Sequence, residues 1–338
     1  MSHMRNVSAA VLVAGLLAGL LAPASAASGP QARSRPADPT SQWPGRAGYS
    51  VPTSTMDKAI SCIDRIEDGD LVRGRPDGTG MAEPVLLVHG SFVNERINWE
   101  WNYARSLPPE GFEVCWVRLP DSAYGDIQIS SEYVARAVEL IHRWTKERVD
   151  VLGHSQGGLE PRWAIKYFPS GRFIDDYVAL AAPNHGTVIA DAEIAAGHSC
   201  GACWQMATGS DLLAALNAGD ETPGRVSYTS IYTTFDQMVQ PVGTQALEGG
   251  TNILLQDLCP GRPVDHVGIA GDAVAYLLTL DALIEPGPAD VESLPSDVCQ
   301  RTVMPGLTAP PADGDLNPPR DYEDHTEEPP LMPYAVRS

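Results

Sequence analysis

The stretch Val149-Asp150-Val151-Leu152-Gly153-His154-Ser155-Gln156-Gly157-Gly158 joins a short β-branched and apolar run to Gly-x-Ser-x-Gly, and an amphipathic segment, Leu159 to Tyr167, follows it. This order predicts a strand, a sharp turn and a helix with Ser155 at the apex, a nucleophile elbow. The turn has a steric basis. Ser155 must take a strained backbone conformation for its Oγ to stand clear of the sheet. The chain at positions 153 and 157 then passes too close to the opposite limb to carry a Cβ. The N-terminus of the next helix brings free N–H groups to the place where an oxyanion would form. Pro161, within the first two turns, removes one hydrogen bond and predicts a small kink.

Upstream, Pro84-Val85-Leu86-Leu87-Val88 reads as a buried strand ending in His89-Gly90-Ser91-Phe92. Gly90 should let the backbone turn so that the N–H of Ser91 faces the nucleophile, with the Ser91 hydroxyl as a further donor. Gly111 to Leu119 is a second strand, and Ser131 to Arg148 an amphipathic helix with Ser131 as its N-cap. Residues 56–72 read as a short amphipathic piece carrying Cys62. Downstream, strands are expected at Ile174 to Ala181, Ser227 to Thr233 and Asn252 to Leu258, and a helix at Val267 to Ile284. Residues 188–217 read as helical, interrupted by Cys200 and Cys203, and should cap the site. There Trp204, Met206 and Leu212 suit a pocket wall as well as plain core packing. Strands alternating with helices predict parallel crossovers, hence an α/β-hydrolase fold: a mostly parallel open sheet with helices on both faces.

A serine needs a neutral imidazole to take its proton and a carboxylate to fix the tautomer of that imidazole. In this architecture the order is Ser, acid, His. Of the eight histidines, only His266 and His325 follow the last expected strand. His325 lies in a run of acidic residues that reads as a solvated tail, so His266 is the candidate base. Asp236, just past a strand, is the candidate acid. Asp265 adjoins His266, and chain neighbours seldom point at each other; Asp220 and Glu221 sit in a Gly/Pro-flanked turn. His154 is better placed to line the pocket than to act as base.

The ends of the chain read differently. Residues 1–26 have the form of a signal peptide: Arg5, an apolar run from Ala9 to Ala22, then Ala24-Ser25-Ala26. Fourteen apolar residues are too few to span a bilayer, and no later stretch is long and apolar enough. The remaining chain is expected to be extracellular. Residues 27–55 form an extended lead-in, 56–300 one catalytic domain, and 301–338 a Pro-rich acidic arm packing on the surface. The net charge of -20 argues against nucleic-acid or anionic-membrane partners. Six cysteines in an exported chain predict disulfides, with fifteen pairings open. Cys200-Gly-Ala-Cys203 has the spacing of a redox or metal motif, but no second pair accompanies it, and a small structural loop is the simpler reading. No metal-ligand cluster or phosphate loop is evident, so neither metal nor cofactor is expected, and a monomer is the simplest unit.

With these residues placed, the chain resembles secreted lipases of the Candida antarctica lipase B type and their bacterial relatives. The resemblance is carried by Leu152 to Leu159, Phe168-Pro169-Ser170, Ala182-Pro183, Gly186-Thr187-Val188, Trp204-Gln205, Thr208-Gly209-Ser210, Asp236 to Pro241, Asp265-His266 and Leu331 to Ala335. It implies Ser155, Asp236 and His266 as a triad. It implies oxyanion donors from Ser91 and from the backbone N–H of Gln156, and disulfides Cys62–Cys115 and Cys259–Cys299. It also places Phe92, His154, Asn184, Trp204, Met206 and Met238 as pocket candidates. The chain departs from the family at four points, one being that the fungal third disulfide near the C-terminus has no counterpart while Cys200 and Cys203 are extra. His154 stands where the fungal enzyme has tryptophan, and Asn184 where the family has a buried aspartate. The stretch from Val303 to Pro319 is short and Pro-rich, which predicts a more open entrance. The implied activity is hydrolysis of an ester, most simply an acylglycerol. An esterase for short or polymeric esters, and a non-catalytic binding protein on the same scaffold, are the alternatives.

Overall fold

The computed structural model describes residues 47–68, 70–74, 84–197, 200–308 and 324–336. The expected signal peptide and most of the lead-in lie outside them, as do residues 309–323, which include most of the Val303–Pro319 stretch.

Eight strands form one sheet: β1 (Ile60–Glu67), β2 (Asp70–Gly74), β3 (Val85–Val88), β4 (Val114–Val117), β5 (Val149–His154), β6 (Ile174–Leu180), β7 (Ser227–Tyr232) and β8 (Thr251–Leu254). Their order is β2-β1-β4-β3-β5-β6-β7-β8. From β4 to β8 every pairing is parallel, whereas β1 runs antiparallel to both neighbours. Residues 56–72 therefore hold an edge hairpin, not an isolated amphipathic piece. Cys62 stands opposite Cys115 across β1 and β4, and the two are joined by a disulfide.

The helices are α1 (Thr53–Met56), α2 (Glu95–Trp99), α3 (Tyr103–Ser106), α4 (Ile127–Thr145), α5 (Leu159–Tyr167), α6 (Val188–Ala195), α7 (Gly201–Met206), α8 (Asp211–Asn217), α9 (Leu255–Leu258) and α10 (Ala273–Ile284). They cover both faces because the central strands are apolar on both sides. On β3, Leu86 and Val88 join the core under α4 and α5, while Val85 and Leu87 join the core under α3 and α10. This two-sided burial is what parallel strands require.

Several boundaries differ from the expected ones for local reasons. Helix α4 starts at Ile127 because the Asp126 side chain accepts the N–H of Gln128. Ser131, the expected cap, lies inside the helix and donates its hydroxyl to the carbonyl of Ile127. Helix α10 starts at Ala273, capped by Asp272, after a 3-10 turn over Gly268–Gly271. The last strand stops at Leu254, and the chain turns directly into α9. Pro161 falls in the first turn of α5, just after the 3-10 turn Ser155–Gly158. The winding changes there, and a missing N–H is tolerated.

The described part of the lead-in is tied down. The backbone N–H groups of Ser50 and Val51 both donate to Glu132, and Tyr49 stacks on Phe168. The described C-terminal residues are also anchored. Glu328 accepts from the N–H groups of Asp211 and Leu212 at the start of α8, and Tyr334 packs against Trp163 and Phe168.

Candidate active site

The elbow brings Ser155 to the carboxyl end of β5 with φ of 57°, in the left-handed region. A non-glycine residue is strained there, and the neighbouring glycines show what holds it. A Cβ on Gly153 would lie 2.2 Å from the carbonyl oxygen of Gly157, and one on Gly157 would lie 2.4 Å from that of Val88. Backbone cannot give way at such distances. Gly157→Ala is therefore expected to cost about 3 kcal/mol or more by overpacking. A fall in melting temperature of several degrees would show it, and an unchanged melting curve would contradict the steric account.

His266 and Asp236 arrive from the loops after β8 and β7. The Nε2 of His266 lies 2.9 Å from Ser155 Oγ, and its Nδ1 lies 2.9 Å from Asp236 Oδ2. The other carboxylate oxygen accepts the backbone N–H groups of Met238 and Val239, each at 2.8 Å. An acceptor-only carboxylate fixes the proton on Nδ1, which leaves the lone pair of Nε2 facing the serine hydroxyl. All three side chains come from loops at one end of the sheet. The two loops are cross-tied, since the hydroxyl of Thr233 donates to the carbonyl of Val264 at 2.7 Å. Asp265 is not part of this arrangement: its Oδ1 accepts from the N–H of Gly268. The region of His325 meets Trp204 instead.

The loop expected to carry the oxyanion donors follows β3. A Cβ on Gly90 would sit 2.9 Å from that of Ser155, so only glycine lets this loop approach Ser155. Buried His89 holds the loop: Nε2 accepts the N–H of Leu119, so Nδ1 donates to the carbonyl of Gly90. Burial brings the pKa of His89 down to about 4, which keeps the ring neutral. The Ser91 hydroxyl donates to Gln156 Oε1 at 2.5 Å.

Ser91, Ser155 and His266 open on a cavity of about 480 Å³. Of the pocket candidates, Phe92, His154, Met206 and Met238 line it. Asn184 and Trp204 do not, which corrects the sequence reading. Asn184 is fully buried, its amide donates to the carbonyl of Gln245, and its oxygen accepts from Arg162. The indole N–H of Trp204 donates to the carbonyl of His325, so this ring holds the C-terminal segment and not the substrate space. Leu212 is core. Ile97, Trp101, Ile189, Ala190, Val267 and Ala270 line the cavity and were missed. Their local patterns are those of any helix or loop, and only the tertiary fold brings them together.

His154 has a second role besides lining. Its Nε2 lies 2.8 Å from the carbonyl oxygen of His266 and donates to it, and its Nδ1, which then carries no proton, lies 3.2 Å from Asn98 Oδ1, the acceptor of the N–H of Gly90. Burial first, and then the His266 ring, push its pKa down to about 3, so the ring is neutral. Through it the elbow, the oxyanion loop and the base loop share one set of contacts.

The other two cysteine pairs are closed as well. Cys259–Cys299 ties the base loop to the chain after α10, and Cys200–Cys203 closes a four-residue loop at the start of α7, where Cys203 lines the cavity. Among the described residues no group of His, Cys, Asp and Glu could hold a metal ion.

The chain is similar to known proteins. Lipase B of Pseudozyma antarctica is 29% identical over 309 residues, covering 85% of this chain and 86% of that protein. The crystal structure of Aspergillus fumigatus lipase B superimposes with a TM-score of 0.74 at 29% identity, over 89% of this chain and 77% of that one. A Bacillus licheniformis lipase in its mature form shares the fold alone, with a TM-score of 0.52 and 15% identity over 67% of this chain and 98% of that one. Residues 82–256, from the strand before the oxyanion loop to the strand before the base loop, match the family Lipase (class 2). With that match spanning just over half of its length, the chain belongs to the class 2 lipases, a family of carboxylic ester hydrolases.

Proposed function

We propose that the chain is an exported serine hydrolase that cleaves acylglycerols and similar lipid esters through an acyl-enzyme on Ser155. The observation that carries this reading is the unbroken chain of contacts from Ser155 Oγ through His266 to Asp236, opening on an apolar cavity. His266 takes the serine proton as Oγ attacks the ester carbonyl. The backbone N–H groups of Ser91 and Gln156 receive the oxyanion, and the Ser91 hydroxyl joins them by turning from Gln156 Oε1. His266 then gives its proton to the leaving alcohol. Water enters and repeats the sequence on the acyl-enzyme, releasing the acid.

The surface around the cavity supports a lipid substrate. Among the described residues, Met238 and Val267 are exposed large apolar side chains that line the cavity, and exposed Phe235 and Val188 adjoin Asp236 and Thr187 in the chain. Apolar groups gathered at one mouth mark a binding surface. A relative from Pseudomonas fragi, 29% identical over 119 residues (34% of this chain and 39% of that protein), is named a triacylglycerol lipase. The export reading rests on residues 1–26, and three disulfides agree with an oxidising destination. Among the described residues no helix is long and apolar enough to cross a membrane.

A fluorophosphonate probe tests the site directly. One adduct per chain is expected, on Ser155, as mapped by peptide mass spectrometry. No adduct, or one on another serine, would contradict the proposal.

A further inference from the structure

Behind the oxyanion loop lies a buried carboxyl group that the reaction above does not use. Glu160, the second residue of α5, has no exposed surface. Its Oε1 accepts from Gln156 Nε2 at 2.9 Å, and its Oε2 has no hydrogen-bond partner among the described residues. Gln156, also without exposed surface, turns its own Oε1 to the Ser91 hydroxyl. The side chain of Gln156 therefore spans the two proposed oxyanion donors, and Glu160 holds its far end.

Among the described residues no cation answers this carboxyl group. On α5 itself, Arg162 turns to Asn184, Asn217 and the carbonyl of Glu221, and Lys166 turns to carbonyls at the end of α8. On α4, Arg136 pairs with Asp57 and Glu139, and Glu132 receives Ser50 and Val51. Arg172, in the turn after α5, lies over the ring of Phe173. His154 on β5 faces Asn98 and the His266 carbonyl. The phenol of Tyr177 on β6 donates to the carbonyl of Gly158. A carboxylate here would be a buried anion with one side-chain hydrogen bond and no counter-ion, which interiors avoid. A neutral acid fits, with its carbonyl oxygen accepting the Gln156 N–H.

We propose that Glu160 is a positioning residue: as the neutral acid it fixes Gln156 between the oxyanion donors, and its ionisation weakens the oxyanion hole in mild alkali. This rests on the proposed role of Ser155. Burial lifts the pKa of Glu160 to about 8 from a usual 4.5. The folded chain thus holds a proton that the unfolded chain releases. The group's contribution to stability is fully present below about pH 4.5 and is lost as pH rises towards 8. Above pH 8 the new anion lies one side chain away from the place where the oxyanion charge develops, in a site of low dielectric.

The test is kcat for a short-chain soluble ester, followed by titration of released acid from pH 6 to 9.5, in the full chain and in Glu160→Gln. The wild type is expected to lose about tenfold in kcat through an apparent pKa near 8, with KM little changed. In Glu160→Gln, which cannot ionise, the ratio of kcat at pH 7 to that at pH 9.5 should approach one. The infrared band of a protonated carboxyl group should be present in the wild type at pH 7 and missing from the variant. Melting temperatures should fall less between pH 5 and 8 in the variant than in the wild type. The same alkaline limb in both proteins, or no difference in the infrared band, overturns the proposal. Fluorophosphonate labelling separates the two levels. Labelled Ser155 with an unchanged limb defeats only the role of Glu160, whereas unlabelled Ser155 defeats the proposed function as well.

Discussion

Ser155→Ala is expected to lower kcat for ester hydrolysis by about a millionfold, the loss typical of removing the nucleophile from such a site. The change deletes one oxygen and keeps the Cβ, so the close approach of Gly90 to that Cβ is unaltered. Alanine meets the same strain as serine at a φ of 57°. The folded chain should therefore persist, with unchanged near-ultraviolet circular dichroism and a melting temperature within a few degrees of the wild type. Residual catalysis of about 10³–10⁴ over water is expected, since the oxyanion donors and the cavity remain. His266→Ala should fall by a similar factor, and the double variant should fall no further, because serine and base act as one unit. Measured with a soluble ester at saturating concentration, a loss under tenfold for Ser155→Ala in folded protein would exclude Ser155 as the attacking group.

The elbow was legible because its demands are local. A strand, two glycines that cannot carry a Cβ and a following helix are all written within nineteen residues, 149–167. His89-Gly90 could be read for the same reason. The placing of Asp236 and His266 beside Ser155 could be read because the fold sets each after a strand, and chain order survives folding. The edge hairpin was hidden. Residues 60–74 carry charged side chains through much of their length, and an edge strand has one solvent-facing side and little periodicity to show. The start of α4 was misplaced because two residues four apart, Ile127 and Ser131, compete for reading as its first turn, and the Asp126 side chain decides. The pocket was the least legible part. His154, Asn98, Gly90 and His266 stand on four separate segments, and their contacts exist only once the sheet has brought those segments together. Glu160 was silent in the sequence for a related reason. A glutamate in the first turn of a helix ordinarily faces water and favours the dipole, and nothing local says that this one is enclosed.

Asp236→Asn is expected to lower kcat by about 10⁴, the cost of reversing the tautomer of the base. Asparagine can keep the acceptor oxygen that binds the N–H groups of Met238 and Val239. It then presents an NH₂ group to His266 Nδ1 where the carboxylate oxygen stood 2.9 Å away. Two donors cannot face each other, so the imidazole proton moves to Nε2. The nitrogen beside Ser155 Oγ becomes a donor and can no longer take the serine proton. The fold loses no hydrogen-bond count and should remain intact, so the loss belongs to kcat and not to unfolding. Two controls make the result specific. Asp265→Asn changes a carboxylate next in the chain to His266, but its Oδ1 only closes a turn on the N–H of Gly268, and asparagine can do the same; kcat should stay within about threefold. A variant that cannot remake the Met238 and Val239 contacts, Asp236→Ala, should lose both activity and melting temperature. If Asp236→Asn retains more than a tenth of wild-type kcat, or if Asp265→Asn is the more damaging change, the acid of the triad lies elsewhere. The contacts across the β7 and β8 loops would then serve only to brace the base.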